Sequence, residues 1–305
     1  MAGLVAAARA RELRAVVRLF EKGNRPGGSM LLSSGVVWRY RDFDEFRRQC
    51  PGGDEALQRL IWERLDEALE WLERLGASAV PHTTNPLTTG RRFDPRALTA
   101  VLVRAAGGVE LGRSSPEGDG PLVVATGGYS VRLARERGLL VRSNAWSEGE
   151  GIELALARGA TEAPSREFYG RAMPGLVPED RFVSASQLYG RSARRVNDLV
   201  LAIADQPGGR AWYELDAEAL ARREVAEKLP YAQETEPLPE GGLRVRVHAA
   251  VTHTYGGARV DTRARAADGV WVAGVDAGAV SNGGYASGLA QALVLGLVAA
   301  EDAVQ

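Results

Sequence analysis

Gly269 to Gln305 reads GVWVAGVDAGAVSNGGYASGLAQALVLGLVAAEDAVQ, and its reading decides the fold. Val270 to Ala273 is β-branched and aromatic, with no charge until Asp276, which is the composition of a buried strand. A glycine-rich loop follows, then a long apolar helix over about Ala286 to Ala303. Small residues such as Ala286, Gly288, Ala292 and Gly296 stand wherever another backbone could come close. A strand that runs through glycines into a helix N-terminus makes a site for a polar or anionic group. Loop N–H groups and the helix dipole point at one spot, and glycine lets a ligand approach the backbone. Taken alone, the pattern also suits an ordinary strand and core helix.

The other end of the chain supports the first reading. Met1 to Gly28 reads MAGLVAAARARELRAVVRLFEKGNRPGG. An Ala-rich helix is expected from about Ala2 to Leu13, and a short strand from Ala15 to Phe20 that ends in Glu21. This is the second half of a βαβ dinucleotide-binding unit. Gly3 would be the third glycine of a G-x-G-x-x-G loop, and the first strand and two glycines would precede Met1. The acidic residue that takes the ribose hydroxyls is due about 20 residues on, at the end of the second strand. Glu21 stands there, although a solvated charge after a strand would read the same way.

The composition is globular: 45% hydrophobic and 25% charged over 305 residues, enough for one large domain or two. A net charge of -1 gives no general pull toward nucleic acid or an acidic membrane. The single cysteine, Cys50, forms no intramolecular disulfide and suits a reducing cytoplasm. His82, His248 and His253 are scattered, so no metal site is expected. No stretch is long and apolar enough to predict a membrane span.

Between the two ends, Gly23 to Gly35 is a Gly/Ser loop flanked by apolar MLL and VVW. Asp54 to Leu75 keeps the 3.6-residue apolar period of a helix, and Gly76 stops it. Asp94-Pro95 opens a further helix to about Ala106, with Asp as cap and Pro in the first turn. Gly107 to Gly120 is a short polar connection, and Pro121 to Tyr129 is a buried strand that ends in a glycine pair. GEGIELALARGA, at 149–160, is a short helix. From about Thr161 to Glu240 aromatics, Pro and Arg become frequent. Leu243 to Ala250 is a strand that leads into THTYGGARVDT.

Six pieces in this order carry a specific resemblance. They are MAGLVAA (1–7), VVRLFEKGNRPGGSMLLSSGVVW (16–38), LVVATGGY (122–129), GEGIELALARGA (149–160), THTYGGARVDT (252–262) and VWVAGVDAGAVSNGGYASGLAQALVLGLVAAEDA (270–303). With them the chain resembles the FAD-binding flavoproteins of the fumarate reductase, succinate dehydrogenase and 3-ketosteroid dehydrogenase family. The resemblance implies an α/β fold: a Rossmann-like FAD-binding domain with an inserted α+β cap domain. The FAD domain would be discontinuous, 1–160 and 241–305, with the cap at 161–240 and hinges near Gly159 to Pro164 and Pro239 to Gly242.

The resemblance also implies site residues. FAD would be held, without a covalent bond, along Gly3, Glu21, Lys22, Gly27, Gly28, Ser29, Ser33, Ser34 and Gly35. Thr126, Gly127 and Gly128 would lie near the adenosine, and Gly274, Asp276, Gly284, Ser287, Gly288 and Leu289 along the ribityl chain and ring. The loop Ser29 to Gly35 contains no histidine for covalent attachment. His253 matches the histidine that contacts substrate above the flavin, unless it is a core histidine.

One mismatch bears on the substrate. Fumarate reductases of this family carry R-F-x-N-E followed by an Arg that donates the proton. Here the segment is Arg181-Phe182-Val183-Ser184-Ala185, and the Arg position is Tyr189. That exchange removes a fixed cation and leaves a neutral acid. It points away from a dicarboxylate and toward a neutral ketone or steroid-like substrate, with His253, Tyr189 and Tyr255 as catalytic candidates and Tyr169 and Tyr285 beside them. Tyr189 as a packing residue is the plainer alternative. The expected protein is an FAD-dependent oxidoreductase that moves hydride at a C–C bond next to a carbonyl. It would act on a small molecule with an electron donor or acceptor that the sequence does not identify. The other reading is a degenerate FAD-fold protein with weak or no flavin binding.

Overall fold

The small residues of the N-terminal helix, Ala2–Glu12, let it sit deep in the protein. Leu4, Val5, Ala6, Ala7 and Ala8 are all buried, and Ala gives up little conformational freedom in a helix. The helix packs between the C-terminal helix, Gly288–Ala303, and the helix Pro95–Ala106. The first contact is backbone-close. A Cβ on Gly296 would lie 2.8 Å from the Ala2 carbonyl oxygen and 3.0 Å from Val5 Cγ1. The computed structural model describes residues 1–82, 85–114, 118, 120–175 and 203–305.

Beside these helices run two short parallel pairings. Leu122–Val124 pairs with Val270–Val272, in the register Val270 with Leu122 and Val272 with Val124. Phe20–Glu21 pairs with Glu110–Leu111. Strand pairing in the expected strand Ala15 to Phe20 is thus confined to its last residue and Glu21, with the Leu19 carbonyl accepting from the Glu110 N–H at 2.8 Å. Its partner lies inside what read as a polar connection, because Glu110 and Leu111 have no alternating apolar pattern to mark them. The strand expected over Pro121 to Tyr129 stops at Val124, where the chain turns. The C-terminal helix starts at Gly288 because the Ser287 hydroxyl caps it, accepting from the Ala290 N–H at 3.2 Å. An antiparallel sheet of Ala79–Val80, Thr88–Phe93 and Val36–Tyr40 flanks this core. The helix Glu55–Arg74, capped by Asp54, packs against the C-terminal helix and adds Leu57, Ile61, Leu65 and Leu72 to the same core.

A second sheet is organised around one 12-residue strand, Leu243–Thr254. Its first half pairs with Arg210–Leu215 and Thr235–Pro237, both antiparallel. Its second half pairs antiparallel with Phe168–Met173 and parallel with Leu140–Val141. Phe168, Tyr213, Leu215, Val245, Val247 and Val251 form its own core. This sheet runs past both domain limits expected from sequence, since Leu140–Val141 and the whole central strand belong to it. The expected hinge at Pro239 to Gly242 is the tight turn that joins Thr235–Pro237 to the central strand, closed by the Leu238 N–H to the Gly242 carbonyl at 3.2 Å. At the other expected hinge, Glu162–Ala163 is paired with Gly257–Ala258. Arg181, Ala185 and Tyr189, on which the substrate reading leaned, lie outside the described residues.

Candidate active site

A cleft of about 330 Å³ runs from the N-terminal helix to the second sheet. Gly3, at the start of the N-terminal helix, and Glu21, at the end of its strand, line one end. The Glu21 carboxylate accepts from the Gly23 N–H at 2.8 Å, which fixes it at the mouth of the Gly/Ser loop. Gly27, Gly28, Ser29, Ser33 and Ser34 form one wall, and Thr126, Gly127 and Gly274 another. Ser287, Gly288 and Leu289 bring in the N-terminus of the 16-residue C-terminal helix. Two helix N-termini and a run of small residues therefore face one elongated space, which suits an anionic dinucleotide. Some of the expected hydroxyls are already engaged. Ser33 Oγ donates to the Met30 carbonyl at 2.7 Å, and Ser29 Oγ accepts from the Asn144 N–H at 2.9 Å.

Six expected site residues are not part of the cleft lining. Asp276 is fully buried behind it, and its carboxylate accepts from Thr126 Oγ1 at 2.9 Å and from the N–H groups of Gly127 at 2.8 Å and Gly128 at 3.0 Å. Its acceptors are spent on the turn, so it supports the wall of the cleft instead of reaching a ribityl chain, and Gly128 is held back with it. Burial pushes the Asp276 carboxyl up, and the three donors oppose that shift. Lys22 turns away to an ion pair with Glu150. Gly35 is structural: at φ 71° it lies so close to the Phe93 carbonyl that a side chain would collide. Tyr255 is buried, its hydroxyl donates to the Gly284 carbonyl, and both are thereby taken up in packing. Burial raises the Tyr255 phenol far above its ordinary pKa.

The far end of the cleft is aromatic. Tyr169 and His253 face each other in register across two strands, with ring centroids 5.2 Å apart. Tyr169 stacks on Tyr285 at 3.9 Å, and Trp38 meets Tyr285 at 5.4 Å. A Cβ on Gly288 would lie 3.5 Å from His253 Cε1, so the histidine sits against the start of the C-terminal helix. His253 Nε2 has no hydrogen-bond partner among the described residues. Burial, and secondarily the charge of Arg142, push the His253 imidazole down to about 4. Burial, and then Tyr285, raise the Tyr169 phenol well above its usual range.

Two cationic cleft residues were not singled out from sequence. Arg142 follows the strand Leu140–Val141 and donates from Nη1 to Thr252 Oγ1 at 2.8 Å. Arg171 lies with its guanidinium carbon 4.5 Å from the Tyr169 ring centroid and 5.5 Å from that of Tyr285. The two-residue period of the strand Phe168–Met173 puts Tyr169 and Arg171 on one face, a signal present in the sequence. Nothing local marked Arg142.

The fold is Rossmann-like α/β, and residues 1–35 match the family described as the NAD(P)-binding Rossmann-like domain. No curated protein matches the chain by sequence. Among solved structures, the open conformation of a flavocytochrome c3 fumarate reductase is similar with a TM-score of 0.76, at 17% identity over 99% of this chain and 76% of that one. The 3-ketosteroid-delta4-(5alpha)-dehydrogenase from Rhodococcus jostii, in complex with 4-androstene-3,17-dione, gives 0.71 at 16% identity, over 100% of this chain and 95% of that one. The 3-ketosteroid delta1-dehydrogenase from Sterolibacterium denitrificans gives 0.70 at 14%, over 99% and 97%. The chain has the fold of the fumarate reductase and ketosteroid dehydrogenase flavoproteins, as its sequence pieces implied. Among the described residues no helix is long and apolar enough to cross a membrane.

Proposed function

We propose that the chain is an FAD-dependent oxidoreductase that transfers hydride at a C–C bond next to a carbonyl, as a desaturase or a reductase of the conjugated compound. The observation that carries this reading is the continuity of one cleft from Gly3 and Glu21 to His253 and Tyr285. Its first part has the helix N-termini and small residues a dinucleotide needs, and its last part has the aromatic walls and few polar groups of a small-molecule site. Bound FAD would supply the two-electron step. Gly3, Glu21, Gly27 to Ser29, Thr126, Gly127 and Ser287 to Leu289 would hold it, without a covalent bond.

The chain's own residues then place the substrate and handle one proton. Tyr169 and Tyr285 offer a flat apolar surface for a planar body. His253, neutral at neutral pH, meets the substrate as an uncharged hydrogen-bonding group and not as a cation. The Tyr169 phenol keeps its proton and can polarise a carbonyl. Position 189 gave the reason to expect a neutral ketone, and the guanidiniums of Arg142 and Arg171 in the cleft remove that reason.

The test is direct. Purified protein, reconstituted with FAD if needed, should be yellow and release unmodified FAD on acid denaturation. Its photoreduced form should be reoxidised without oxygen by a conjugated carbonyl compound, or its oxidised form reduced by the saturated counterpart. Failure to retain FAD, or a bound flavin that responds to no compound of either kind, would leave the degenerate FAD-fold reading.

A further inference from the structure

We infer that the inner end of the cleft receives a carboxylate, and that the ligand is a planar organic monoanion with its carboxylate on Arg142 and Arg171 and its body along the Tyr169–Tyr285 stack. To call this ligand the substrate rests on the oxidoreductase reading; the anion site itself does not.

The charge distribution along the cleft is the first argument. Among the described lining residues Glu21 is the one carboxylate, and it comes from the strand Phe20–Glu21 ahead of the Gly/Ser loop, whereas the two arginines come from the second sheet. The inner end gathers Arg142, Arg171 and a histidine that burial keeps neutral. Both guanidiniums act on the same hydroxyl, that of Tyr169, so their fields overlap there. A wholly neutral ligand would strip water from two cations and return little for it. A carboxylate returns charge-assisted hydrogen bonds, and a guanidinium has five donors with which to serve more than one acceptor.

Preorganisation is the second. Arg142 is held by its bond to Thr252 Oγ1, and the backbone N–H of Arg142 donates to the Val251 carbonyl at 2.8 Å. Arg171 is laid against two aromatic rings. Neither side chain has to be ordered afresh by the ligand, which lowers the cost of binding. Shape is the third. The Tyr169 and Tyr285 rings are 13° from parallel, and Trp38 lies against the second of them. Such a wall favours a flat conjugated body over a bulky one. A dicarboxylate would need a second cationic side chain further along, and the described lining offers no Lys or Arg besides these two.

The experiment titrates the FAD-loaded protein, and separately the flavin-free protein, with three acid–amide pairs: crotonate and crotonamide, benzoate and benzamide, trans-cinnamate and cinnamamide. Calorimetry or quenching of tryptophan fluorescence reads the affinity. At low salt at least one acid should bind about 10-fold or more tightly than its amide, the scale of a charge-assisted hydrogen bond, and the preference should shrink in high salt. Arg171→Gln and Arg142→Gln should each remove most of that preference and leave amide affinity nearly unchanged. Arg171→Lys should keep part of it, which separates loss of charge from loss of folding. Equal binding of acid and amide in all three pairs would overturn the inference, as would a preference that survives both glutamine variants, or tighter binding of fumarate than of any planar monoacid. Protein that holds no FAD and still prefers the acid would defeat the redox reading and leave the anion site standing. A yellow protein with no preference would do the reverse.

Discussion

The ring of Tyr169 lies on the ring of Tyr285, centroids 3.9 Å apart and planes 13° from parallel. Tyr169 comes from the second sheet and Tyr285 from the loop ahead of the C-terminal helix, so this pair ties the two halves of the protein at the cleft. Stacked aromatic pairs contribute roughly 0.5–1.5 kcal/mol beyond the area they bury. A double-mutant cycle of Tyr169→Ala and Tyr285→Ala in chemical denaturation should return a coupling of that size. Additive losses would mean that the two rings only happen to be neighbours.

Asp276 supports the cleft from behind, and this too can be measured. Asp276→Ala leaves the Thr126 hydroxyl and the Gly127 and Gly128 N–H groups without their acceptor in a buried place. The expected loss of stability is about 3 kcal/mol, the range for buried polar groups deprived of a charged partner. Because Thr126 and Gly127 line the cleft, FAD affinity should also fall although Asp276 itself does not face the ligand. A variant as stable as the parent would show that water replaces the carboxylate.

The Asp276 turn and the second sheet mark where the sequence stopped being legible. The fold could be read because both ends of the chain carry strand, loop and helix signals that are local: the Ala-rich helix, the cap at Asp94, the glycines before Ser287. The site could be read only as far as its backbone motifs. Gly3, Glu21, Gly27 and Gly288 face the cleft because a strand end or helix start puts them there. Whether a buried polar residue faces the cleft or the core depends on contacts between distant segments. Asp276 is 148 residues from Gly128 in sequence, and Tyr255 is 29 from Gly284. The second sheet crosses the expected domain limits for a related reason. Change in composition near 160 and 240 is real, but the strand Leu243–Thr254 is long enough to serve two sets of partners, and pairing ignores composition. Arg142 was missed because a single arginine after a two-residue strand carries no pattern at all.

Glu21 gives the most direct test of the cofactor reading. Its carboxylate lines the cleft at the end of the strand Phe20–Glu21, held by the Gly23 N–H. If it accepts from ribose hydroxyls, Glu21→Ala should weaken FAD binding by about 1 to 3 kcal/mol, the loss for a hydrogen bond to a charged group. Glu21→Gln should fall between the two, since the amide keeps one acceptor. Flavin retained equally by all three proteins in an equilibrium titration would remove Glu21 from the cofactor site.

His253 sets a pH dependence with a definite sign. Folded, its pKa is pushed down to about 4, from an ordinary 6.5, by burial and by Arg142. Among the described residues, Arg142, Tyr169 and Tyr255 are titratable groups set against it, and the two phenols stay neutral throughout the acid range. Above pH 6.5 the imidazole is neutral in both the folded and the unfolded chain and contributes no slope. As pH falls from 6.5 toward 4 the unfolded chain takes up a proton that the folded one refuses, so stability is lost across that window; below 4 both hold it and the loss levels off. The full loss is up to about 3 kcal/mol. Urea denaturation at pH 7 and at pH 4.5 should therefore show a steeper drop for the parent than for His253→Phe, whose curve lacks this proton. A carboxylate bound on Arg142 would offset the charge that helps to hold the imidazole neutral, so saturating trans-cinnamate should move the window upward in pH and flatten the drop. Parallel curves for the parent and the phenylalanine variant would mean that His253 is open to water and titrates like a free histidine.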